Sequence, residues 1–107
     1  MSRVFVTQEP SLRVPGGWQP KFDLSPAREF GELVVMMEPG NATPDTAQEC
    51  VHIMKRQVFS DGDYLLALGD PVLIAIAAAV MSKELDEVRM LRWDGRAGRY
   101  VAFSVRL

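Results

Sequence analysis

Cysteine and histidine are almost absent from this sequence, with one of each in 107 residues. The lone Cys50 cannot form a disulfide within the chain, and there is no cluster of cysteine and histidine that could hold zinc. A reducing compartment is therefore the expected environment, and neither a metal nor a cofactor is predicted.

Long apolar runs are also missing, which argues against a membrane protein. The longest run, Val72 to Met81, is much shorter than the roughly 20 residues that cross a bilayer. The opening residues, MSRVFVTQEP, carry charges and a proline where a secretory signal needs an apolar core. We therefore expect neither a signal peptide nor a membrane partner.

What the sequence does contain is the composition of one folded domain. Apolar residues make up 48% and charged residues 24%, with a net charge of −2, which is typical of a globular chain rather than a disordered one. A chain of this length can bury a single core, so residues 1–107 are predicted to form one domain. Residues 10–24 hold three prolines and a Gly-Gly pair and are expected to be an irregular surface loop.

Apolar patterns and capping residues predict five strands and two main helices. Thr43 and Asp70, each followed by proline, are typical helix N-caps, and Ser25 has the same role for a shorter helical turn. The first strand, RVFVT, alternates and should bury one face, whereas the third is apolar throughout and should be buried on both faces. The predicted strands are 3–7, 32–37, 64–68, 88–93 and 100–107.

The order β-β-α-β-α-β-β places the chain in the α/β class, with α+β as the alternative. Right-handed crossovers imply parallel pairing of the second, third and fourth strands, and the turn DGRAGR adds the fifth as an antiparallel edge. The prediction is a small sandwich of two or three layers with a mixed five-stranded sheet and two main helices. The apolar stripe expected on the first helix consists of Ala47, Cys50, Val51, Met54 and Val58.

The Gly69-Asp70 step, between the third strand and the second helix, is a candidate ligand site. In open α/β sheets, ligands bind where strands end and helices begin. A single glycine without a lysine is not a nucleotide-binding loop, however, and Asp70 would repel a phosphate. We therefore predict that Asp70 is a helix cap, with a nucleotide site as the alternative.

No group of residues has the spacing of a catalytic or metal site. Asp61 and Asp63 precede the third strand and Asp70 follows it, which separates them by about 17 Å. Asp61 and Asp63 are therefore expected to be solvated turn residues. Cys50 and His52 are two positions apart and face different sides of a helix. No catalytic residue and no metal ligand is predicted. A non-enzymatic protein is favoured, with an enzyme or nucleotide sensor that uses the Gly69-Asp70 edge as the alternative.

Charge is unevenly distributed along the chain, because residues 88–107 carry five arginines and one acidic residue. Arginine beside aromatic residues is typical of protein and nucleic-acid interfaces alike, although arginines also protect an edge strand from pairing. The net negative charge disfavours nucleic acid as the partner. The candidate interaction surface consists of Trp18, Arg89, Arg92, Trp93, Arg96, Arg99 and Tyr100.

Three segments, FGELVVMM, DYLLALGDPVLIAIAAAV and LRWDGRAGRYVAFSVRL, resemble a set of small proteins encoded by tailed bacteriophages and prophages. The resemblance covers most of residues 28–107. It implies a phage protein of unassigned function, acting in the host bacterial cytoplasm or in the virion. Together with the candidate surface, it predicts an accessory protein that binds and modulates a host or phage protein. The alternatives are an assembly component whose copies associate, and a nucleotide- or nucleic-acid-binding protein.

Overall fold

Five strands form one mixed sheet in the computed structural model, which describes residues 2–107, and two further strands form a separate hairpin. The α/β class, the five-stranded sheet and the two main helices are thus confirmed. The strands are β1 (Arg3–Gln8), β2 (Ser11–Val14), β3 (Gly17–Pro20), β4 (Glu32–Met37), β5 (Tyr64–Leu66), β6 (Glu87–Asp94) and β7 (Arg99–Arg106). The helices are α1 (Pro44–Lys55) and α2 (Pro71–Glu84), with a short 3-10 helix at Ser25–Glu29.

The strand order in the sheet is β4-β1-β5-β6-β7. β1 pairs in parallel with both β4 and β5, β5 pairs in parallel with β6, and β7 closes the sheet as an antiparallel edge. The predicted antiparallel hairpin is therefore confirmed. Direct pairing of the second and third predicted strands is wrong, because β1 lies between β4 and β5.

The direction of each crossover explains which face each helix covers. The steps from β4 to β5 and from β5 to β6 cross the sheet in one direction, whereas the step from β1 to β4 goes the other way. Right-handed connections must then place α1 and α2 on one face and the segment after β1 on the opposite face. Accordingly, Phe5 and Leu65 pack with the two helices, whereas Val4 and Leu66 pack with Ala27 of the 3-10 helix.

The central position of β1 corrects the prediction for the first strand. Val4, Phe5 and Val6 are all buried, so this strand is covered on both faces and not on one. Its alternating sequence was a poor guide because Arg3, at its start, is held in an ion pair, and Thr7 is buried. The third predicted strand, β5, is buried on both faces as expected, but it ends at Leu66.

Both helix N-caps are confirmed. The Thr43 hydroxyl accepts a hydrogen bond from the Thr46 N–H at 3.2 Å, and the Asp70 carboxylate accepts one from the Val72 N–H at 2.8 Å. On α1, the buried side chains are Cys50 and Met54. Including Val58 in the apolar stripe was wrong, because α1 ends at Lys55 and Val58 is 81% exposed.

The prediction of an irregular loop at residues 10–24 is wrong, because β2 and β3 form an antiparallel hairpin there. Val14 pairs with Gly17, so Pro15 and Gly16 alone make the turn, and Gly16 has a φ of 89°. Proline followed by a glycine with positive φ is the signature of a type II turn. Pro15, one of the prolines on which the prediction of a loop was based, is therefore the first central residue of this turn.

The expected Ser25 N-cap is also corrected. Leu24 occupies the N-cap position of the 3-10 helix and makes no side-chain capping bond. Asp23 performs the related function, since its carboxylate accepts hydrogen bonds from the Ser25 N–H at 2.9 Å and from the Ser25 hydroxyl. The predicted capping residue was wrong by two positions, because aspartate and serine can both accept hydrogen bonds from nearby backbone N–H groups.

The amino end of the sheet is held by Asp63, which the structure shows to be buried rather than solvated. Its carboxylate accepts hydrogen bonds from the Arg3 N–H at 3.0 Å and the Ser60 N–H at 2.9 Å, and the Arg3 guanidinium lies 3.1 Å away. Burial alone would raise the pKa of Asp63, but these donors and the arginine charge hold that pKa below its ordinary value. Asp63 therefore ties the start of β1 to the turn before β5.

Candidate interaction site at the carboxyl end of the sheet

The strands β1, β4, β5 and β6 run in the same direction, so their carboxyl ends lie at one end of the sheet. The chain leaves β1 toward one face, and it leaves β4 and β5 toward the other. Neighbouring connections that diverge in this way leave a crevice between them, which is where open α/β proteins bind ligands. Two adjoining grooves occupy this end of the molecule.

The first, which we name the polar groove, has a volume of about 360 Å³ and lies beyond the ends of β1, β4 and β5. The buried Gln8 side chain forms part of its wall, donating hydrogen bonds to the carbonyl oxygens of Glu38 at 2.9 Å and Gly40 at 3.0 Å. These bonds fix the loop after β4 against β1. Its lining residues are Gln8, Glu9, Pro10, Ser11, Trp18, Lys21, Phe22, Gly40, Asn41, Leu68, Gly69 and Asp70.

The sequence-predicted candidates Gly69 and Asp70 are both in the polar groove. Asp70 bonds the Val72 N–H, so its carboxylate is used as the α2 cap. Gly69 has a φ of 116°, and a Cβ there would lie 3.4 Å from the Gln8 carbonyl oxygen. The backbone around the polar groove is thus held in place by hydrogen bonds. Beside Gly69, the buried Thr7 hydroxyl has no hydrogen-bond partner within residues 2–107.

The second, which we name the apolar groove, has a volume of about 500 Å³ and is lined by Phe22, Asp23, Pro26, Leu68, Trp93 and Tyr100. The Trp93 and Tyr100 rings meet edge to face with centroids 5.1 Å apart. Tyr100 is buried, and this desolvation, followed by the negative charge of Asp23, raises the pKa of its hydroxyl. Trp93 is 45% exposed and remains available to a partner.

Phe22 and Leu68 line both grooves, so the two form one continuous surface. Trp18 stands in the polar groove with 42% of its surface exposed, and Phe22, between the grooves, is 54% exposed. We call Trp18, Phe22, Leu68 and Trp93 the carboxyl-end surface. The sequence predicted Trp18 and Trp93 separately but missed Phe22 and Leu68. Phe22 could have been found from the sequence, because a large apolar residue in a proline-rich surface segment is a candidate for an interaction site.

The predicted arginines do not form one group. Arg96 and Arg99 lie in and beside the β6–β7 turn, at the same end of the sheet as Trp93. The guanidinium of Arg89 lies 5.9 Å from the Tyr64 ring, and that of Arg92 lies 5.0 Å from the Phe103 ring. Because Arg89 and Arg92 are on opposite faces of β6, they do not act together with the turn.

The other residues considered for catalysis are apart from this surface and from one another. Cys50 is buried, with its Sγ 4.0 Å from the Leu73 carbonyl oxygen. Burial, together with the charge of Glu49, raises the pKa of the Cys50 thiol, which disfavours the reactive thiolate. His52 is exposed and lies 3.4 Å from the Gln48 side chain. Within residues 2–107, no three potential metal ligands cluster.

A family model described as Phage Pam3 gp32-like protein matches residues 2–107. The chain belongs to this family. The resemblance to phage proteins is thereby confirmed, and the chain is a phage protein of unassigned function. The match includes both grooves and both edges of the sheet.

Two further comparisons found no relative, because no curated protein and no solved structure matches the chain significantly. Within residues 2–107, the helices are too short or too polar to cross a membrane.

Proposed function

We propose that this phage protein is a non-enzymatic binding module whose carboxyl-end surface docks a segment of a host or phage protein and thereby modulates that protein. The observation that carries the proposal is the continuity of the two grooves through Phe22 and Leu68, with Trp18 and Trp93 exposed on either side. Contiguous exposed apolar surface marks interaction sites. Tryptophan is also the residue type most enriched among those that dominate binding energy.

The chemistry of this end supports docking rather than catalysis. Asp70 caps α2, Asp23 accepts bonds from Ser25, and Asp94 accepts bonds from the Arg96 and Ala97 N–H groups. A general acid or base must be free to exchange a proton with a substrate. These carboxylates instead hold the backbone of the surface in place, which favours a rigid receptor for another chain.

The lining of the surface indicates the chemistry of the partner segment. Trp18, Phe22 and Trp93 are exposed and offer apolar contacts. The charged residues that line the two grooves are mostly acidic, namely Glu9, Asp23 and Asp70 with the single cation Lys21. An acidic segment would meet like charge there, whereas an apolar or aromatic side chain could insert beside Trp93. We therefore propose a partner segment with an apolar or aromatic anchor, met in the host cytoplasm.

A matched pair of double variants tests this function. Trp18→Ala with Trp93→Ala removes two exposed tryptophans of the surface, and Val58→Ala with Leu107→Ala removes exposed apolar side chains elsewhere. We expect capture of the specific partner from infected-cell lysate, measured by quantitative mass spectrometry, to fall at least about tenfold for the tryptophan pair. The control pair should capture as well as the wild type. Equal capture by both pairs would refute the surface.

A second candidate function is that of an assembly component, which the two unpaired edge strands β4 and β7 favour. Exposed edges are ready to pair with strands of other chains. Mass spectrometry of purified phage particles separates the two functions. An accessory protein should be missing from particles, whereas an assembly component should be present in many copies.

A further inference from the structure

The two edges of the sheet carry opposite charges. On β7, Arg99 and Arg106 flank the uncharged run YVAFSV, and on β4, Glu32 and its successor Glu38 flank the uncharged run LVVMM. All four charged side chains are exposed. An uncharged run of β-forming residues on an edge strand is an available pairing surface. Asp94 and Glu87 of β6 are the cross-strand neighbours of these arginines, but within residues 2–107 they form no ion pair with them. Each edge strand therefore offers backbone hydrogen bonds with its own sign of charge at both ends.

The strand directions allow the two edges to meet. β7 is antiparallel to β6, and β6 has the same direction as β5, β1 and β4. A second copy placed beside the first in the same orientation would therefore bring its β4 antiparallel to β7 of the first. The helices of both copies would remain on the same side of the extended sheet. Antiparallel pairing of this kind needs no change in either fold.

We propose that copies of this chain associate head to tail, with β7 of one copy pairing with β4 of the next. Phe103 lies on the helix side of β7, because its cross-strand neighbour Met90 packs against the helix-side core. Val34 lies on the helix side of β4, because it packs against the same core. Placing these two opposite each other keeps apolar residues on one face. In that register Arg99 lies opposite Glu38 of the second copy. Arg106 lies opposite Gly31, next to Glu32 but on the other face of the sheet, so only the Arg99–Glu38 pair faces directly.

The charges disfavour the symmetric alternatives. Pairing β7 with β7 brings together two strands flanked by arginine, and pairing β4 with β4 brings together two flanked by glutamate. Like charges across a strand pair are destabilising. Head-to-tail pairing instead leaves one free β4 and one free β7 at the ends of each assembly, so growth continues until a ring closes or a filament forms. It uses the lateral edges and leaves the carboxyl-end surface free, so it does not depend on the proposed docking function.

Charge reversal tests this association. One variant carries Arg99→Glu with Arg106→Glu, and a second carries Glu32→Arg with Glu38→Arg. Sedimentation velocity over a concentration series should show wild-type species larger than a dimer. Each variant alone should associate at least about tenfold more weakly, because its two edges now have the same sign. An equimolar mixture of the two variants should associate again, as should one chain carrying all four changes.

The control reverses two exposed charges on the helices, Lys55→Glu with Lys83→Glu, and should associate as the wild type does. Circular dichroism of every variant checks that the fold is retained. A wild type that is monomeric up to its solubility limit, or that stops at a dimer, overturns the proposal. So does undiminished association of the chain carrying Glu32→Arg and Glu38→Arg, because that result would place the contact on β7 alone.

Discussion

The two ends of the sheet contrast in how far their side chains are buried and held. At the amino end, the buried Asp63 accepts bonds from the backbone of Arg3 and Ser60 and faces the Arg3 guanidinium. At the carboxyl end, Phe22 and Trp93 are half exposed, and the buried Thr7 hydroxyl has no hydrogen-bond partner within residues 2–107. The paired end holds the strands together, which allows the other end to present an unfilled surface. Five predictions test this contrast, starting with the largest effect.

Asp63→Ala should cause the largest loss of stability, about 3 kcal/mol, because it leaves the buried N–H groups and the Arg3 charge without their acceptor. Asp61→Ala, two residues away and exposed, should change the free energy of unfolding by less than about 0.5 kcal/mol. Urea denaturation at neutral pH measures both. A loss below about 1 kcal/mol for Asp63→Ala would show that the Asp63 contacts do not hold the amino end of the sheet more firmly than the carboxyl end is held.

The same carboxylate predicts a pH dependence. Since its pKa is lower in the folded protein than the unfolded value of about 3.9, its contribution is present above that value and is lost as the pH falls through the folded pKa. Asp63→Asn should therefore lose less stability than the wild type between about pH 5 and pH 2. Parallel curves for the two proteins would contradict this.

Alanine substitution of one glycine at each end should also give unequal effects. A Cβ at Gly31, at the amino end, would lie 2.5 Å from the Ser2 carbonyl oxygen, whereas one at Gly69 would meet its nearest atom at 3.4 Å. We expect Gly31→Ala to cost about 2 kcal/mol, from a backbone shift added to strain at positive φ, and Gly69→Ala about 1 kcal/mol, from that strain alone. Thermal unfolding compares them, and equal losses would mean that the carboxyl end is as tightly packed.

Asp70→Ala should cost about 1 kcal/mol, the usual value for an N-cap, and Asp70→Asn or Asp70→Ser should recover most of that loss. These variants separate the contribution of the capping hydrogen bond from that of the Asp70 charge, because asparagine and serine can accept the same hydrogen bond from the Val72 N–H without a charge. If instead Asp70→Asn retains full stability but loses partner binding, the carboxylate itself takes part in docking.

Thr7→Val should have the smallest effect and the opposite sign, with a gain of up to about 1 kcal/mol. The substitution keeps the side-chain shape and removes a buried hydroxyl that has no hydrogen-bond partner among the residues that the structure describes. Urea denaturation should therefore give an equal or higher midpoint. A clear decrease would show that the hydroxyl is bonded at the carboxyl end, to a water molecule or a ligand.

Local chemistry made much of the fold predictable. The caps at Thr43 and Asp70 and the Asp-Gly turn after Trp93 depend on neighbouring residues only, and the structure confirms each of them. The helix-strand alternation was then sufficient for the mixed five-stranded sheet. The β2–β3 hairpin was also local, but Pro15 and Gly16 were interpreted as breakers of structure when they are the turn.

Contacts between distant segments account for what the sequence did not show. The partners Arg3 and Asp63 are 60 residues apart, and nothing near Asp63 distinguishes it from an exposed turn residue such as Asp61. The carboxyl-end surface has the same character, since Phe22, Leu68 and Trp93 come from three separate segments. Composition was enough to select the tryptophans. It could not select Leu68, because only the folded topology brings this residue into the lining of both grooves.

The central place of β1 has a consequence for how the chain folds during synthesis. β1 precedes every other strand in the sequence, yet its two neighbours are β4 and β5, and its contact through Arg3 reaches a residue 60 positions later. A nascent chain must therefore keep the apolar residues Val4, Phe5 and Val6 without their native cover until β5 has left the ribosome. Pairing over such distances slows folding and exposes aggregation-prone segments. Synthesis of residues 9–66 thus sets the shortest interval during which β1 lacks one of its two neighbouring strands.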